Sequence, residues 1–246
     1  MREDCRTSKL AGRLRGRAGR TGRTGNLTVM FADVSGFTAL AEVHGDELAN
    51  DILDRFVVQV ARTAVHTGVD VVKSIGDGFL ITSESSERAI AAALELIERT
   101  NELHNYPALH IGLHTGEVIM RGKDVFGRTV NLASRVACEA APDQILTTAE
   151  VVDSGLPDGA SAESVGLRTL RHVPVPVELF ALKGHAVCEK VIDPVCHMKV
   201  APYEATGTRT LAGTTYYFCS PGCERSFARS PRLYVSRGFS AASTGA

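Results

Sequence analysis

Two aspartates stand at places where the sequence predicts that strands end. Asp33 follows the apolar, β-branched run 27–31, and Asp77 lies at the tip of a predicted hairpin over residues 69–82. The two carboxylates meet if these strands pair side by side. Hard cations such as Mg2+ bind through a few carboxylates and complete their shell with phosphate oxygens and water. The pair therefore predicts a site for two-metal phosphoryl transfer.

Backbone N–H groups at a helix N-terminus form a natural cradle for a triphosphate. Such a terminus is predicted directly after Asp33. The five residues of this cradle are Val34, Ser35, Gly36, Phe37 and Thr38. In a later predicted helix, residues 128–140, Asn131 and Arg135 are four positions apart and therefore share one helix face. An amide and a guanidinium on that face can point at one substrate.

The order of predicted elements is strand, helices, hairpin, helix, strands, helix, strands. This order favours an α+β sandwich of the ferredoxin-like kind, with helices on one face of a largely antiparallel sheet. The last strands are expected at 145–147, 167–170 and 177–182. These elements must bring both aspartates to one sheet edge.

The stretches 31–38, 73–79 and 124–135 resemble, in order and separation, the signature segments of class III adenylyl and guanylyl cyclases. The resemblance covers about residues 26–185. It implies that Asp33 and Asp77, with the backbone of Val34, bind two Mg2+ or Mn2+ ions. It further implies roles for the polar residues of the later segments: Lys73 and Asp124 read the purine, Asn131 and Arg135 serve the ribose and the transition state, and Arg171 grips the terminal phosphates.

The purine-reading pair predicts ATP rather than GTP as the substrate. The Lys73 ammonium can donate to adenine N1, while the Asp124 carboxylate accepts from the exocyclic amine. Guanine presents the reverse pattern of donors and acceptors. The guanylyl cyclases that this sequence resembles usually carry an acidic residue at the position of Lys73. Arg171 departs from the family, which has a lysine there; the charge is kept and the reach changes.

The resemblance also implies a homodimer. The family places the metal-binding carboxylates on one subunit and the purine, ribose and transition-state residues on the other. This chain carries both half-sites once. A head-to-tail homodimer then owns two complete sites and a monomer owns none.

Each of these residues has a structural alternative. Asp33 can cap a helix, Asp77 can be an ordinary turn aspartate, and Arg135 can pair with a surface carboxylate. At the level of the whole protein, two other functions stay open. One is a nucleotide-binding sensor with weak or no turnover, and the other is a metal-handling protein that uses the cyclase fold for dimerisation.

Cysteines crowd the last quarter of the chain. The segments around Cys196 and around Cys219 and Cys223, within residues 191–235, resemble a YHS domain, whose cysteines bind metal. Three thiolates suit one Zn2+ or another soft ion, with His197, Cys188 or an exogenous group as the candidate fourth ligand. A glycine is usual at the position of His197. We therefore expect a cysteine-rich metal-binding module that is either structural or a metal- or redox-dependent input to the enzyme.

Composition sets the remaining expectations. The 27 Lys and Arg nearly balance the 28 Asp and Glu, which argues against a nucleic-acid partner. No run approaches the about 18 apolar residues of a transmembrane span, and we expect a cytoplasmic protein. The predicted organisation is then as follows: a disordered basic arm at 1–25, which is either a solvated tail or a binding segment, the cyclase domain at 26–185, a linker at 186–190, the YHS-like domain at 191–235 and a flexible tail at 236–246.

Overall fold

A computed structural model describes residues 22–184 and 190–235. The centre of the fold is a long antiparallel pair, β1 (Arg23–Val34) and β4 (Leu109–Arg121). Their register runs from Arg23 opposite Met120 to Val34 opposite Leu109. Strand β1 thus starts before the predicted domain boundary at residue 26, because Arg23 and its neighbours pair with the end of β4. The rest of the predicted arm, 1–21, lies outside the described residues.

Six further strands and five helices build the first domain. The strands are β2 (Asp70–Ile75), β3 (Gly78–Ser83), β5 (Asp124–Phe126), β6 (Gln144–Thr148), β7 (Ser161–Arg168) and β8 (Val177–Lys183). The helices are α1 (Phe37–His44), α2 (Asp46–Thr67), α3 (Ser86–Glu102), α4 (Arg128–Glu139) and α5 (Ala149–Val152). The strand predicted at 167–170 actually covers 161–168, and Leu170 is a buried residue of the following turn.

The strands form one eight-stranded sheet in the order β2-β3-β1-β4-β6-β8-β7, with β5 paired to β4. Only the pairing of β4 with β6 is parallel within this sheet. The α+β class and the largely antiparallel sheet are confirmed. The central position of β1 brings the end of β1 next to the β2–β3 hairpin, which positions the two aspartates.

Helices cover both faces of the sheet, in contrast to the predicted single face. Met30 and Ala32 of β1 belong to the core cluster that contains residues of α2 and α3. Val29 lies in a second cluster with Ala133 of α4, and Phe31 packs against it. Side chains alternate between faces along a strand, so α4 lies opposite α2 and α3. Gly112 permits this approach, since a Cβ there would lie 2.1 Å from the backbone nitrogen of Ala137.

The C-terminal module is small and contains two hairpins and two helices. Its elements are β9 (Val191–Ile192), β10 (Lys199–Val200), β11 (Gly207–Leu211), β12 (Thr214–Phe218), α6 (Pro221–Arg229) and α7 (Pro231–Val235). Its apolar residues, among them Cys196, Phe218 and Phe227, lie in the same core cluster as Leu40 and Ile52 of the first domain. The module shares a core with the cyclase-like domain. The predicted linker and tail lie mostly outside the described residues.

Backbone hydrogen bonds and one buried lysine fasten this module to the first domain. The Ala108 N–H donates to the carbonyl of His197 at 2.8 Å, and the Lys199 N–H donates to the carbonyl of Tyr106 at 3.0 Å. The Lys199 ammonium, on a side chain that is 1% exposed, lies 3.2 Å from an Asp143 carboxylate oxygen. Among the described helices, none is both long and apolar enough to cross a membrane.

Candidate active site and thiol cluster

The two aspartates meet at one edge of the sheet. Asp33 is paired with Gly78, so the end of β1 lies beside the β2–β3 turn. Gly76 and Asp77 are the two central residues of that turn, and Gly76 has a φ of 63°. A two-residue hairpin turn with a positive φ at its first position favours glycine. Asp77 follows directly, which places its carboxylate next to Asp33.

The electrostatics of this pair suit a cation. Burial, and secondly the charge of Asp33, raise the pKa of Asp77 to about 6. His110 stands opposite Asp33 on β4, and its Nε2 lies 3.5 Å from an Asp33 carboxylate oxygen. Two adjacent carboxylates repel each other, and a divalent ion removes that repulsion while binding to hard oxygen ligands. The donor set therefore fits Mg2+ or Mn2+. No spacing in the sequence relates His110 to Asp33; the register of β1 and β4 places the two residues opposite each other.

The predicted purine-reading residues form an ion pair. The Lys73 ammonium lies 2.7 Å from an Asp124 carboxylate oxygen and 5.7 Å from the centre of the Phe126 ring. Lys73 is paired with Leu80, which belongs to the core cluster that contains Ala133 of α4. Phe31 packs against the same cluster. Because Asp33 is two residues after Phe31, Lys73 and Asp33 point to the same face of the sheet. Both half-sites thus open on one face.

The predicted phosphate cradle turns from β1 into α1. Gly36 precedes this helix with a φ of 70°, a conformation that glycine adopts without strain. The Ser35 hydroxyl is 2.6 Å from Nδ1 of His197, and a Cβ on Gly36 would lie 2.8 Å from the same nitrogen. The C-terminal module therefore touches the cradle directly, a contact that the sequence did not predict.

The remaining predicted catalytic residues lie on α4 and on the β7–β8 connection. Asn131 is exposed and Arg135 is half-buried, one helical turn apart. Arg171 is exposed in the turn that follows β7. Their catalytic roles stay predictions.

A second cluster brings together Cys196, Cys219, Cys223 and His44, whose ligand atoms all lie within 4.8 Å of one another. His44 ends α1 and belongs to the first domain. His197 was the predicted candidate for the fourth position, and its Nδ1 instead contacts Ser35. Cys188, the other candidate, lies outside the described residues. The sequence could not indicate His44, because 152 or more residues separate it from the cysteines.

A buried carboxylate organises the thiols. Asp193 is fully buried and accepts hydrogen bonds from the backbone N–H groups of Cys219 and Val195, each at 2.8 Å. Burial raises the pKa of Asp193 to about 7. Hydrogen bonds from the side chains of Cys196 and Cys219 hold the pKa of Cys223 well below its usual range. A thiolate at Cys223 suits metal ligation.

Two family models match the chain. The model of the adenylate and guanylate cyclase catalytic domain matches residues 20–183, more than half of the sequence. The chain belongs to the adenylate and guanylate cyclase family. A YHS domain model matches residues 191–237. The cyclase domain is thus followed by a YHS domain, as the sequence resemblance predicted.

Curated relatives of this cyclase include proteins named as adenylate cyclases. The adenylate cyclase of Streptomyces griseus is 35% identical over 136 residues, which are 55% of this chain and 34% of that protein. The pH-sensitive adenylate cyclase of Mycobacterium tuberculosis (strain CDC 1551 / Oshkosh) is 33% identical over 165 residues, 65% of this chain and 41% of that protein. The chain therefore spans well under half the length of these relatives.

Solved cyclase structures share the fold. Adenylate cyclases from Trypanosoma brucei, captured in their monomeric state, superpose with a TM-score of 0.61 at 24% identity, over 66% of this chain and 90% of that chain. The adenylyl cyclase CyaB from P. aeruginosa gives a TM-score of 0.57 at 21% identity, over 68% of this chain and 97% of that chain. At this identity the likeness establishes the class III cyclase fold alone.

Proposed function

We propose that this chain is an adenylate cyclase that converts ATP to 3′,5′-cyclic AMP and pyrophosphate at the interface of a homodimer. One observation carries the proposal. The Asp33–Asp77 carboxylate pair and the Lys73–Asp124 ion pair open on the same sheet face, with the phosphate cradle beside the first pair. The adenylate cyclases among the curated relatives support the same substrate.

Specificity for adenine rests on hydrogen-bond polarity. Lys73 is a donor and ionised Asp124 is an acceptor, which match adenine N1 and the exocyclic amine. The 2.7 Å ion pair holds the two groups in adjacent positions before the nucleotide arrives. With guanine both contacts fail, and a site that leaves buried polar groups unpaired rejects that base strongly.

Catalysis requires positioning and charge neutralisation, with no protein nucleophile. Asp33, Asp77 and the backbone of Val34 would hold two divalent cations, which neutralise the phosphates and acidify the ribose 3′-hydroxyl. The cradle N–H groups and Arg171 orient the polyphosphate. Asn131 orients the ribose, and Arg135 balances the charge that grows on the α-phosphate as the 3′-oxygen attacks and pyrophosphate leaves.

An exposed apolar patch supports the homodimer. Ile119 and Phe126 are 38% and 45% exposed and are paired directly across β4 and β5. Phe126 lies beside the Lys73–Asp124 pair, since its ring centre is 5.7 Å from the Lys73 ammonium. A second copy that covers this patch brings its carboxylate pair towards the purine-reading pair, and a two-fold arrangement generates two equivalent sites.

Control by the C-terminal module is the last part of the proposal. His197 contacts Ser35 of the cradle, and His44 at the end of α1 lies 3.4 Å from the sulfur of Cys219. Metal binding to the thiols, or their oxidation, should therefore affect both ends of the segment 34–44, which contains the cradle and α1. We propose a metal- or redox-dependent input to the cyclase.

Purified protein incubated with ATP and Mn2+ or Mg2+ tests the enzymatic core of the proposal. We expect cyclic AMP and pyrophosphate in equal amounts, with turnover abolished by Asp77→Ala and retained by Asp70→Ala, since Asp70 is exposed at the start of the same hairpin. Nucleotide binding without product in the wild-type protein would instead support a non-catalytic sensor.

A further inference from the structure

Four side chains from the two domains surround one point. The Sγ atoms of Cys196 and Cys219 are 3.4 Å apart, and those of Cys219 and Cys223 are 3.7 Å apart. Nε2 of His44 lies 3.4 Å from the sulfur of Cys219 and 3.6 Å from that of Cys223. The sulfur separations exceed the about 2.05 Å of a disulfide by far.

These separations match the edges of a metal-centred tetrahedron. Zinc–sulfur bonds of about 2.3 Å give sulfur–sulfur edges of about 3.8 Å, and a zinc–nitrogen bond of about 2.0 Å gives mixed edges of about 3.5 Å. Cys196 and Cys223 are fully buried, and Cys219 and His44 are half-buried. A closed site with four protein ligands is the arrangement of structural zinc rather than of a catalytic ion with an open position.

We propose that His44 completes a tetrahedral site with Cys196, Cys219 and Cys223 for one soft divalent cation such as Zn2+, and that this ion joins the YHS domain to helix α1 of the cyclase domain. The ligand set requires both domains, because the three thiolates come from the YHS domain and the imidazole comes from the cyclase domain. Metal binding and domain docking should therefore be coupled.

The packing around His44 supports direct ligation. Gly222, at the start of α6, faces Val43, and a Cβ on this glycine would lie 3.0 Å from the Val43 side chain. The absence of a side chain at residue 222 lets the start of α6, which carries Cys223, approach the end of α1. Ser220 caps α6 by accepting a hydrogen bond from the Cys223 N–H. The close approach of Gly222 to Val43 and the Ser220 cap thus hold Cys223 near His44.

The YHS domain also contacts the start of the segment 34–44, through His197. Its backbone has a φ of 58°, a left-handed conformation that residues with a Cβ rarely adopt. The side chain is 7% exposed and its Nδ1 contacts the Ser35 hydroxyl at 2.6 Å. His197 is therefore a further direct contact between the YHS domain and the cradle. With His44 ligated, the cradle and α1 are fixed at both ends.

The consequence for catalysis rests on the proposed cyclase function, whereas the metal site does not. An ion at His44 orders α1, and α1 begins within the phosphate cradle. We therefore expect loss of the ion to loosen the segment 34–44. Because metal binding is measured without turnover, an inactive protein that binds the ion as described refutes the enzyme and leaves the site intact.

Cobalt titration of the reduced, metal-free full chain tests the site. We expect one Co2+ per chain with the intense visible bands of tetrahedral thiolate coordination, and displacement by Zn2+. His44→Ala should weaken binding at least about 100-fold, beyond the 10–100-fold typical for the loss of a group that only supports a ligand. His66→Ala is the matched control, since His66 also lies in the last turn of a helix and bonds Glu95 instead of the thiols.

His44→Cys keeps the test decisive if His44→Ala does not fold. A fourth thiolate should restore tight binding and shift the cobalt bands towards those of a four-sulfur site. Hydrogen exchange of the amides of residues 34–44 gives a separate readout: bound Zn2+ should slow it at least about tenfold in the wild-type chain and leave it unchanged in folded His44→Ala. Unaltered affinity and spectrum in His44→Ala, or a loss caused by Cys188→Ser instead, overturns the proposal.

Discussion

The two proposed metal sites of this molecule differ in ligand type, burial and position in the fold. The Asp33–Asp77 pair offers hard oxygen ligands on an open sheet face, and charge repulsion and burial raise the pKa of Asp77 to about 6. The thiol cluster of Cys196, Cys219 and Cys223 with His44 offers soft ligands between two domains and is largely buried. In the proposed function the first site is completed by a nucleotide and a second subunit, whereas the second has four candidate ligands within one chain.

The two proposed sites should therefore bind their ions under different conditions. The carboxylate site should respond to chain concentration, nucleotide and millimolar Mg2+ or Mn2+, because its remaining ligands come from elsewhere. The thiol site should bind its ion in a single chain at far lower concentration, because thiolates and imidazole prefer soft cations. Since α1 connects them, the complete site can set the geometry of the incomplete one.

Subunit complementation should give the largest effect. Asp77→Ala and Arg135→Ala should each lower turnover at least about 10²–10³-fold, because each removes charge that stabilises the transition state. Mixed in equal amounts, they should recover about a quarter of the wild-type activity, since half of the dimers then carry one intact site out of two. Cyclic AMP formation measures this.

Absence of any recovery in a mixture whose heterodimer is verified by tagged co-purification would contradict the shared site. The double variant, which carries both substitutions on one chain, is the control. In a heterodimer of the double variant with the wild-type chain, each site carries one substitution, so such a mixture should show only the activity of its wild-type dimers.

Reversal of the purine contact should give the next largest effect. Lys73→Glu places an acceptor where adenine N1 is also an acceptor, so kcat/KM for ATP should fall about 100-fold and the preference should move towards GTP. Lys123→Glu, a change at the neighbouring lysine of the β4–β5 turn, should leave the ATP-to-GTP ratio unchanged. Steady-state kinetics with both nucleotides measure the ratio, and an unchanged ratio in Lys73→Glu removes this residue from base recognition.

The buried lysine between the domains provides a stability comparison. Lys199→Met should lower the free energy of unfolding by about 2–4 kcal/mol, because it removes the buried cation that pairs with the Asp143 carboxylate and leaves the Asn101 amide oxygen without its Lys199 donor. Lys183→Met removes an exposed pair with Glu163 and should cost less than about 1 kcal/mol. Urea unfolding followed by circular dichroism distinguishes them; equal small losses would show that Lys199 does not hold the domains together.

The smallest effect is a pH-dependent gain in stability. The raised pKa of Asp77 means that its ionisation opposes folding above pH 3.8, and fully so above about pH 6. Without divalent ions, Asp77→Asn should therefore stabilise the fold at pH 7.5 by about 1–2 kcal/mol, after allowance for solvent screening. The gain should fade as the pH drops towards 4, and a gain that is constant with pH would contradict this origin. Asp70→Asn serves as the exposed control.

Short-range sequence patterns predicted much of the sheet edge that carries Asp33 and Asp77. Strand 27–31 and the hairpin turn at Gly76 have short-range signals, and the observed β1–β3 pairing brought Asp33 and Asp77 together as expected. The one-face arrangement of helices was wrong, because the even and odd residues of β1 are both apolar and the pattern did not indicate that α4 covers the second face. The 167–170 strand was displaced because Leu170 is buried in a turn rather than in the sheet.

Contacts between distant segments were beyond the reach of sequence reasoning. His44, His110 and His197 carry no spacing that relates them to their partners, and each was identified only once the strands and domains were assembled. His197 came nearest to a signal, because it occupies a position where glycine is usual and where the backbone has a positive φ. Nothing in the sequence relates His197 to its partner, Ser35.

The most direct measurement is a competition assay with equimolar ATP and GTP and Mn2+, in which both cyclic products are quantified over a series of chain concentrations. We predict cyclic AMP in about 100-fold excess over cyclic GMP, at a rate per chain that rises with concentration until the dimer is saturated. Cyclic GMP as the main product, no cyclic product at all, or a rate per chain independent of concentration under conditions where the protein is monomeric would contradict the account.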